Sequence, residues 1–241
     1  MLDGSKPKVL VSWSSGKDSA WTLHVLRLKN EVEIAGLLTT VNEQFHRVAM
    51  HSTRRDLLRS QAQGAGLPLW EIPLPWPCSN EEYERAMGRA CVQAVEQGIT
   101  GIAFGDLFLE DVRKYREDRL RGTGLQPIFP VWGLDTSKLI DKMLDEGVRA
   151  RIVCVDPKKL PADFAGQDIS RELLAQFPQG VDPCGENGEF HTFVHAGPMF
   201  SAAIPIQSGE VVTRDGFVFA DVLPSAREDQ DQLPHLSQTL A

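Results

Sequence analysis

Short apolar runs alternate with amphipathic stretches along most of the chain. Val9-Leu10-Val11 precedes a small polar stretch, Ser12 to Ser19, and then a helical pattern in which Trp21, Val25 and Leu28 recur at three- and four-residue spacing. A second apolar run, Ile34 to Val41, lies one crossover away, as the parallel strands of a βαβ unit require. An extended piece is expected over Arg47 to Met50, a helix over Arg54 to Ala65 ending at Gly66, and a strand over Leu69 to Ile72. Pro73, Pro75 and Pro77 then predict a stiff extended loop. Asn80-Glu81-Glu82 reads as the capped, acidic first turn of a helix through Val95 that stops near Gly98, before a buried strand Ile99 to Phe104. A charged helix from Glu110 to Arg121, the apolar pair Ile128-Phe129, a helix from Thr136 to Glu146 and a strand from Ala150 to Val155 continue the alternation.

This order predicts an α/β fold, a doubly wound and mostly parallel sheet, over residues 1–156. Beyond Asp156 the alternation degrades into a short helix, Arg171 to Gln176, a Gly-rich stretch and two β-like runs, Glu210 to Thr213 and Phe217 to Val222. Residues 157–223 read as a smaller C-terminal lobe, and Pro224 to Ala241 as a polar tail.

Composition narrows the function classes. At 241 residues the chain suits one sizeable α/β unit with an appendage. A net charge of −8 argues against general binding to nucleic acid or to an anionic membrane, so a polyanionic ligand must be held locally, at loops and helix N-termini. No apolar run is long enough to cross a bilayer, and the polar start has no signal-peptide segment, which places the expected location in the cytoplasm. Cys78, Cys91, Cys154 and Cys184 stand far apart without a C-x-x-C pair, as free thiols do. No Cys, His and Asp constellation marks Cys184 as a nucleophile, and His46 and His51 read as structural or surface groups.

Three segments carry chemistry. Ser14-Ser15-Gly16-Lys17-Asp18-Ser19, with Ser12 before it, sits between the first strand and the first helix. Small residues let several N–H groups converge at a helix N-terminus, where phosphate gains charge-assisted hydrogen bonds and the helix dipole. Lys17 adds a point charge, and Asp18 can orient the loop or hold Mg²⁺. The spacing is not that of a Walker A loop. Gly105-Asp106 lies at the carboxyl end of a later strand, where doubly wound sheets bind ligands, and is followed by Glu110, Arg113 and Glu117. Arg113 and Glu117, four apart, also suit a plain surface ion pair, and Pro130-Val131-Trp132 suits core packing. The third segment, Cys184-Gly185-Glu186-Asn187-Gly188-Glu189-Phe190-His191-Thr192, brackets two carboxylates with glycines; such a pair can bind a cation, take a proton or orient an acceptor.

The first segment resembles the Ser-Gly-Gly-x-Asp-Ser fingerprint of the PP-loop ATP pyrophosphatases, of adenine nucleotide alpha hydrolase-like fold, with Ser15 in place of the first Gly. That exchange is mild if the position keeps a negative φ and strained if it needs a positive one. The second and third segments resemble the ATP-binding domain of the diphthamide synthetases (diphthine–ammonia ligases), whose third motif is Cys-Gly-Glu-Gly-Gly-Glu-Tyr-Glu-Thr. The resemblance runs from Val9 to Phe200, and Asn187, Phe190 and His191 depart from it.

The resemblance implies a ligase that cleaves ATP to AMP and pyrophosphate, adenylates a carboxylate and lets ammonia or an amine displace the AMP. The implied acceptor is the diphthine side chain of translation elongation factor 2; the departures in the third motif admit another carboxylate. Ser12, Ser14 to Ser19, Gly105, Asp106, Arg113 and Glu117 would then bind ATP, and Asp18 and Asp106 Mg²⁺. Lys17, Asp106, Glu186 and Glu189 would be catalytic, the two glutamates on the acceptor side, and a homodimer is a candidate assembly. Two other classes remain: a nucleotide-binding module of the same fold without turnover, and an interaction protein using Trp70 to Pro77.

Overall fold

The structure is a computed structural model that describes residues 6–48 and 52–225. Ala49 and Met50 of the expected extended piece, His51, and the tail from residue 226 onward lie outside the described residues. A first sheet holds β1 (Lys8–Ser12), β2 (Glu33–Asn42), β3 (Arg47–Val48), β4 (Leu69–Leu74), β5 (Ile99–Ala103) and β6 (Gln126–Ile128). Its order is β3-β2-β1-β5-β6, with β4 on the free side of β2, and every pairing except that of β3 is parallel. Crossover helices make this possible: α1 (Lys17–Lys29), α2 (Arg55–Ala65), α3 (Asn80–Glu96) and α4 (Glu110–Leu120), followed by α5 (Thr136–Asp145). The doubly wound reading therefore holds.

Three local differences have physical causes. β4 continues through Pro73 to Leu74, past the point where the prolines predicted a loop. It bonds only to β2, so the missing proline N–H faces away from the ladder. The cap of α3 is Ser79, one residue before the expected position, and it forms a reciprocal capping box with Glu82. The run Ala150 to Val155, which closed the first unit in the sequence reading, is β7 (Arg149–Val155) of a separate antiparallel sheet.

That second sheet has the order β8-β7-β10-β9, with β8 (Phe190–Ala196), β9 (Ile206–Arg214) and β10 (Phe217–Pro224). The sequence pattern predicts β9 and β10, and β8 adds the buried Phe190, Phe193 and Val194 directly after the glycine-rich loop. A single 3-10 turn, Ala162–Phe164, and α6 (Arg171–Leu174) connect β7 to that loop.

Two apolar clusters fill the molecule. The larger joins Val11, Trp21, Leu37 and Leu57 of the first sheet and its helices to Ile152 and Phe193 of the second, so the C-terminal lobe shares a core with the α/β unit. At roughly 25 cal/mol per Å² of apolar surface, this shared burial is what docks the lobe. The smaller cluster, with Leu10, Leu38, Ile102 and Leu120, lies under α3 and α4 on the opposite face. Polar ties reinforce the junction: Asp221 of β10 accepts from Arg47 (2.8 Å) and Arg54 (2.6 Å) beside the start of α2. The four cysteines are unpaired.

Candidate active site

The turn between β1 and α1 is held from beneath. Ser15 sits at φ 73°, the left-handed region that glycine tolerates best, at a cost of about 1–2 kcal/mol for a non-glycine residue. Its surroundings over-determine it. The Ser15 hydroxyl lies 2.6 Å from that of Thr53, and its carbonyl accepts from the Gln61 side chain (3.0 Å) and from the Val194 N–H (3.0 Å). Gln61, fully buried, also accepts from the Trp13 indole at 2.9 Å and donates to the Val194 carbonyl at 2.7 Å. Every polar atom of that amide therefore fixes the turn to α2 or β8.

Lys17 is only 2% exposed and does not extend into solvent. Its ammonium donates to both oxygens of Asp18, at 3.0 and 2.9 Å, and to the Cys184 carbonyl, while the Phe190 ring centroid lies 5.5 Å away. Its backbone N–H donates to the Thr192 hydroxyl at 3.1 Å. Burial pulls the Lys17 pKa down, but the Asp18 carboxylate and further anionic neighbours outweigh it, and the net shift is upward; the side chain stays charged. Burial pushes Asp18 up against the opposing pull of Lys17. Burial likewise pushes up the Cys184 thiol, which stays protonated and is no nucleophile.

The loop after β5 abuts the same turn. A Cβ on Gly105 would come within 2.9 Å of the Asp18 backbone carbon and 3.0 Å of the Ser19 nitrogen, so only glycine allows the two chains this close. Asp106 pairs weakly with Arg116 (3.4 Å). One residue on, the Leu107 N–H donates to Glu186 at 2.7 Å, and Phe108 adds a longer bond of 3.4 Å. The third segment thus reaches across to the second. Burial raises the Glu186 pKa to about 7, with the carboxylates of Asp18 and Asp106 adding to the shift and the two N–H bonds opposing it.

Glu189 plays a different part. It is 3% exposed, and its Oε1 accepts from the Asp182 N–H and the Asn187 side chain, both at 3.1 Å, which organises the loop. Gly185 sits at φ 71° against Phe190, where a Cβ would fall 2.8 Å from the Phe190 carbonyl. Of the three departures from the family pattern, Phe190 is core against Phe177 and Lys17, Asn187 supports Glu189, and His191 pairs with Cys154 in the ladder of β8 and β7.

A cavity of about 320 Å³, in the range of small-molecule sites, opens beside this junction. Its floor is Ser12 at the end of β1, Trp13 and Ser14 of the turn, Leu38 to Thr40 of β2, Ile102 of β5 and Phe104 just after it; Tyr83, Met87 and Cys91 of α3 and Tyr115, Arg116 and Arg119 of α4 form the walls. Arg113 and Glu117 are not in its lining. They bond to each other at 2.8 Å, and the Arg113 guanidinium stacks 4.8 Å from both the Phe129 and Trp132 rings. Within Pro130-Val131-Trp132, Val131 is core, while Trp132 serves this stack.

Residues 7–127 match the diphthamide synthase N-terminal domain, and residues 135–221 match the C-terminal domain of the same enzymes. The chain belongs to the diphthamide synthase family. It is 27% identical to the diphthine–ammonia ligase of Bos taurus over 157 residues and 28% identical to that of Homo sapiens over 153. Those alignments cover 62% and 60% of this chain but only 58% and 56% of the relatives, so the chain spans little more than half their length. A diphthine–ammonia ligase of Schizosaccharomyces pombe matches 85% of the chain at 24% identity and 37% of its own length.

For a diphthamide synthase family member, sequence reasoning missed the groups that act through the fold. Gln61, Thr53, Asp182 and the cavity-lining Arg116 and Arg119 belong to no contiguous motif. The only available signal was that Arg116 and Arg119 share a helix face three apart. Among the described residues no helix is long and apolar enough to cross a membrane.

Proposed function

We propose that the chain binds ATP in this cavity, transfers AMP to a carboxylate and exchanges the AMP for ammonia or an amine, in the cytoplasm. The observation that carries the reading is continuity. The apolar cavity suits a base and ribose, its lining includes Ser12, Trp13 and Ser14 where the turn begins but not Ser15 to Ser19, Gly105 or Asp106, and Phe104 in its floor leads along the chain through Gly105 and Asp106 to the Leu107 N–H that holds Glu186. The names of the relatives make diphthine the first acceptor to test and ammonia the first nitrogen source.

The chemistry requires each part. A free carboxylate repels a nucleophile and has no viable leaving group. Its oxygen attacks the α-phosphorus, the bond from that phosphorus to the bridging oxygen breaks, and pyrophosphate leaves with the electron pair. Ammonia then attacks the acyl carbon and AMP departs. The Gly16 and Lys17 amides already donate to the Ser14 and Thr192 hydroxyls, so the next amides of the first turn of α1, those of Asp18 and Ser19, would hold phosphate oxygens with the Ser14 and Ser19 side chains. Lys17, buried behind the turn, keeps its dipole and the Cys184 loop in place. Glu186 would take the proton released by the attacking nitrogen, with Glu189 holding the loop that presents it.

Mg²⁺ fits only as a companion of the triphosphate. Among the described residues no group of three or more carboxylate, imidazole or thiol side chains forms a metal site, and Asp18 and Asp106 each already face a cation. A metal arriving with ATP would find these two carboxylates at most and take its other ligands from phosphate and water, where it would neutralise phosphate charge.

The test is product analysis with α-labelled ATP, ammonia and a diphthine-bearing or small carboxylate. AMP and pyrophosphate are expected; ADP and phosphate, or binding without turnover, would defeat the reading. The cavity wall adds a second expectation. Arg116→Ala should raise the KM for ATP roughly 10- to 100-fold, as loss of a charge-assisted contact to phosphate does, whereas Arg113→Ala should leave it nearly unchanged. Equal effects of the two variants in steady-state kinetics would show that Arg116 has no special contact with the nucleotide and would count against this cavity as the ATP site.

A further inference from the structure

The hairpin of β9 and β10 presents an edge that no other described residue covers. β9 bonds to β10 alone at the end of its sheet, and Val211 and Val212 are 59% and 38% exposed. A long edge with adjacent exposed valines is a template for another strand. Its backbone fixes which groups face outward. Arg214 and Phe217 pair across the two-residue turn Asp215-Gly216, both at positive φ, the geometry of a tight type I′ hairpin. The closing pair of such a hairpin exchanges both backbone bonds, and pairs alternate from there as far as Val211, beyond which a bulge sets Gly209 and Glu210 together opposite Asp221. Arg214 and Val212 therefore turn their N–H and C=O groups toward β10, and Thr213 and Val211 turn theirs to the open side.

We infer that this edge pairs antiparallel with the same strand of a second copy, about a two-fold axis through Val212, joining the two second sheets of a homodimer into one. In that register Val211 exchanges both backbone bonds with Thr213 of the second copy. Glu210 then lies opposite Arg214 of the second copy at a non-hydrogen-bonded position, where side chains approach most closely, and the axis repeats the pair. The charges select this register. An axis at Glu210 or at Arg214 would set that residue against itself, and an axis at Val211 or Thr213 leaves both charges without an opposite partner. The Arg214 guanidinium already lies 5.9 Å from the Phe219 ring, on the face that Val212 shares through its pairing with Phe219.

The proposal is independent of the ligase chemistry and is tested by sedimentation velocity on the full chain. The unmodified protein should sediment at twice the chain mass. Glu210→Arg and Arg214→Glu, each placing like charges across the axis, should give folded monomers with an unchanged circular dichroism spectrum, because both side chains are exposed. Combining them restores opposite charges and should restore the dimer. A monomeric unmodified chain, a dimer that survives either single reversal, or a double reversal that stays monomeric overturns the inference.

Discussion

Replacing Lys17 with methionine is expected to cost about 2–3 kcal/mol of folding stability and to end AMP production. Methionine fills the space of the lysine stem and keeps contact with Phe190, so packing changes little. What disappears is the buried ammonium that satisfies Asp18 and the Cys184 carbonyl. The carbonyl would then lack this partner and the half-buried Asp18 carboxylate its counter-charge, and removing one member of such an ion pair costs more than the pair's net worth. Function fails for a connected reason. The ammonium is the direct tie between the turn that would hold the triphosphate and the loop that carries Glu186. Thermal melts and chromatography of labelled products check both effects; a Lys17→Met protein with unchanged melting and turnover would show that the tie is dispensable.

How much of this was legible in the sequence depends on range. The order of strands and helices in the first sheet follows from apolar periodicity, because each element is decided within a window of ten or so residues. The proximity of Gly105 to the first turn also follows from topology, since β1 and β5 are parallel neighbours and their carboxyl ends share one edge. The buried Lys17 was not legible. A lysine in a small-residue turn reads as a charge aimed at a ligand, and only the distant Cys184 carbonyl shows where it goes. The partition of α4 was equally hidden. Arg113 and Arg116 stand one turn apart on the same charged helix, and only Phe129 and Trp132, brought in by later segments, hold the first away from the cavity. Ser15 is a third kind of case. Whether the left-handed conformation is needed depends on Thr53, Gln61 and β8, none of them local.

Glu186→Gln is expected to slow ligation by roughly 10²- to 10⁴-fold and to flatten its dependence on pH. The carboxyl titrates at about 7, so near neutrality it is divided between a form that can accept a proton and one that cannot. With the concentration of free amine held constant, the rate of the native chain should therefore rise as pH passes through about 7, and glutamine should remove that limb. Folding stability carries the same signature with a sign that can be worked out. The folded chain binds this proton more tightly than the unfolded chain, whose value is near 4.5. The stabilisation is fully present below the unfolded value and is lost as pH rises through the folded one. Glutamine, always neutral, escapes the loss, so denaturant melts at pH 5 and pH 8 should differ less for Glu186→Gln than for the native chain. A variant that slows ligation yet keeps the native pH dependence of both rate and stability would leave Glu186 as a strut for Leu107 and assign the proton to another group.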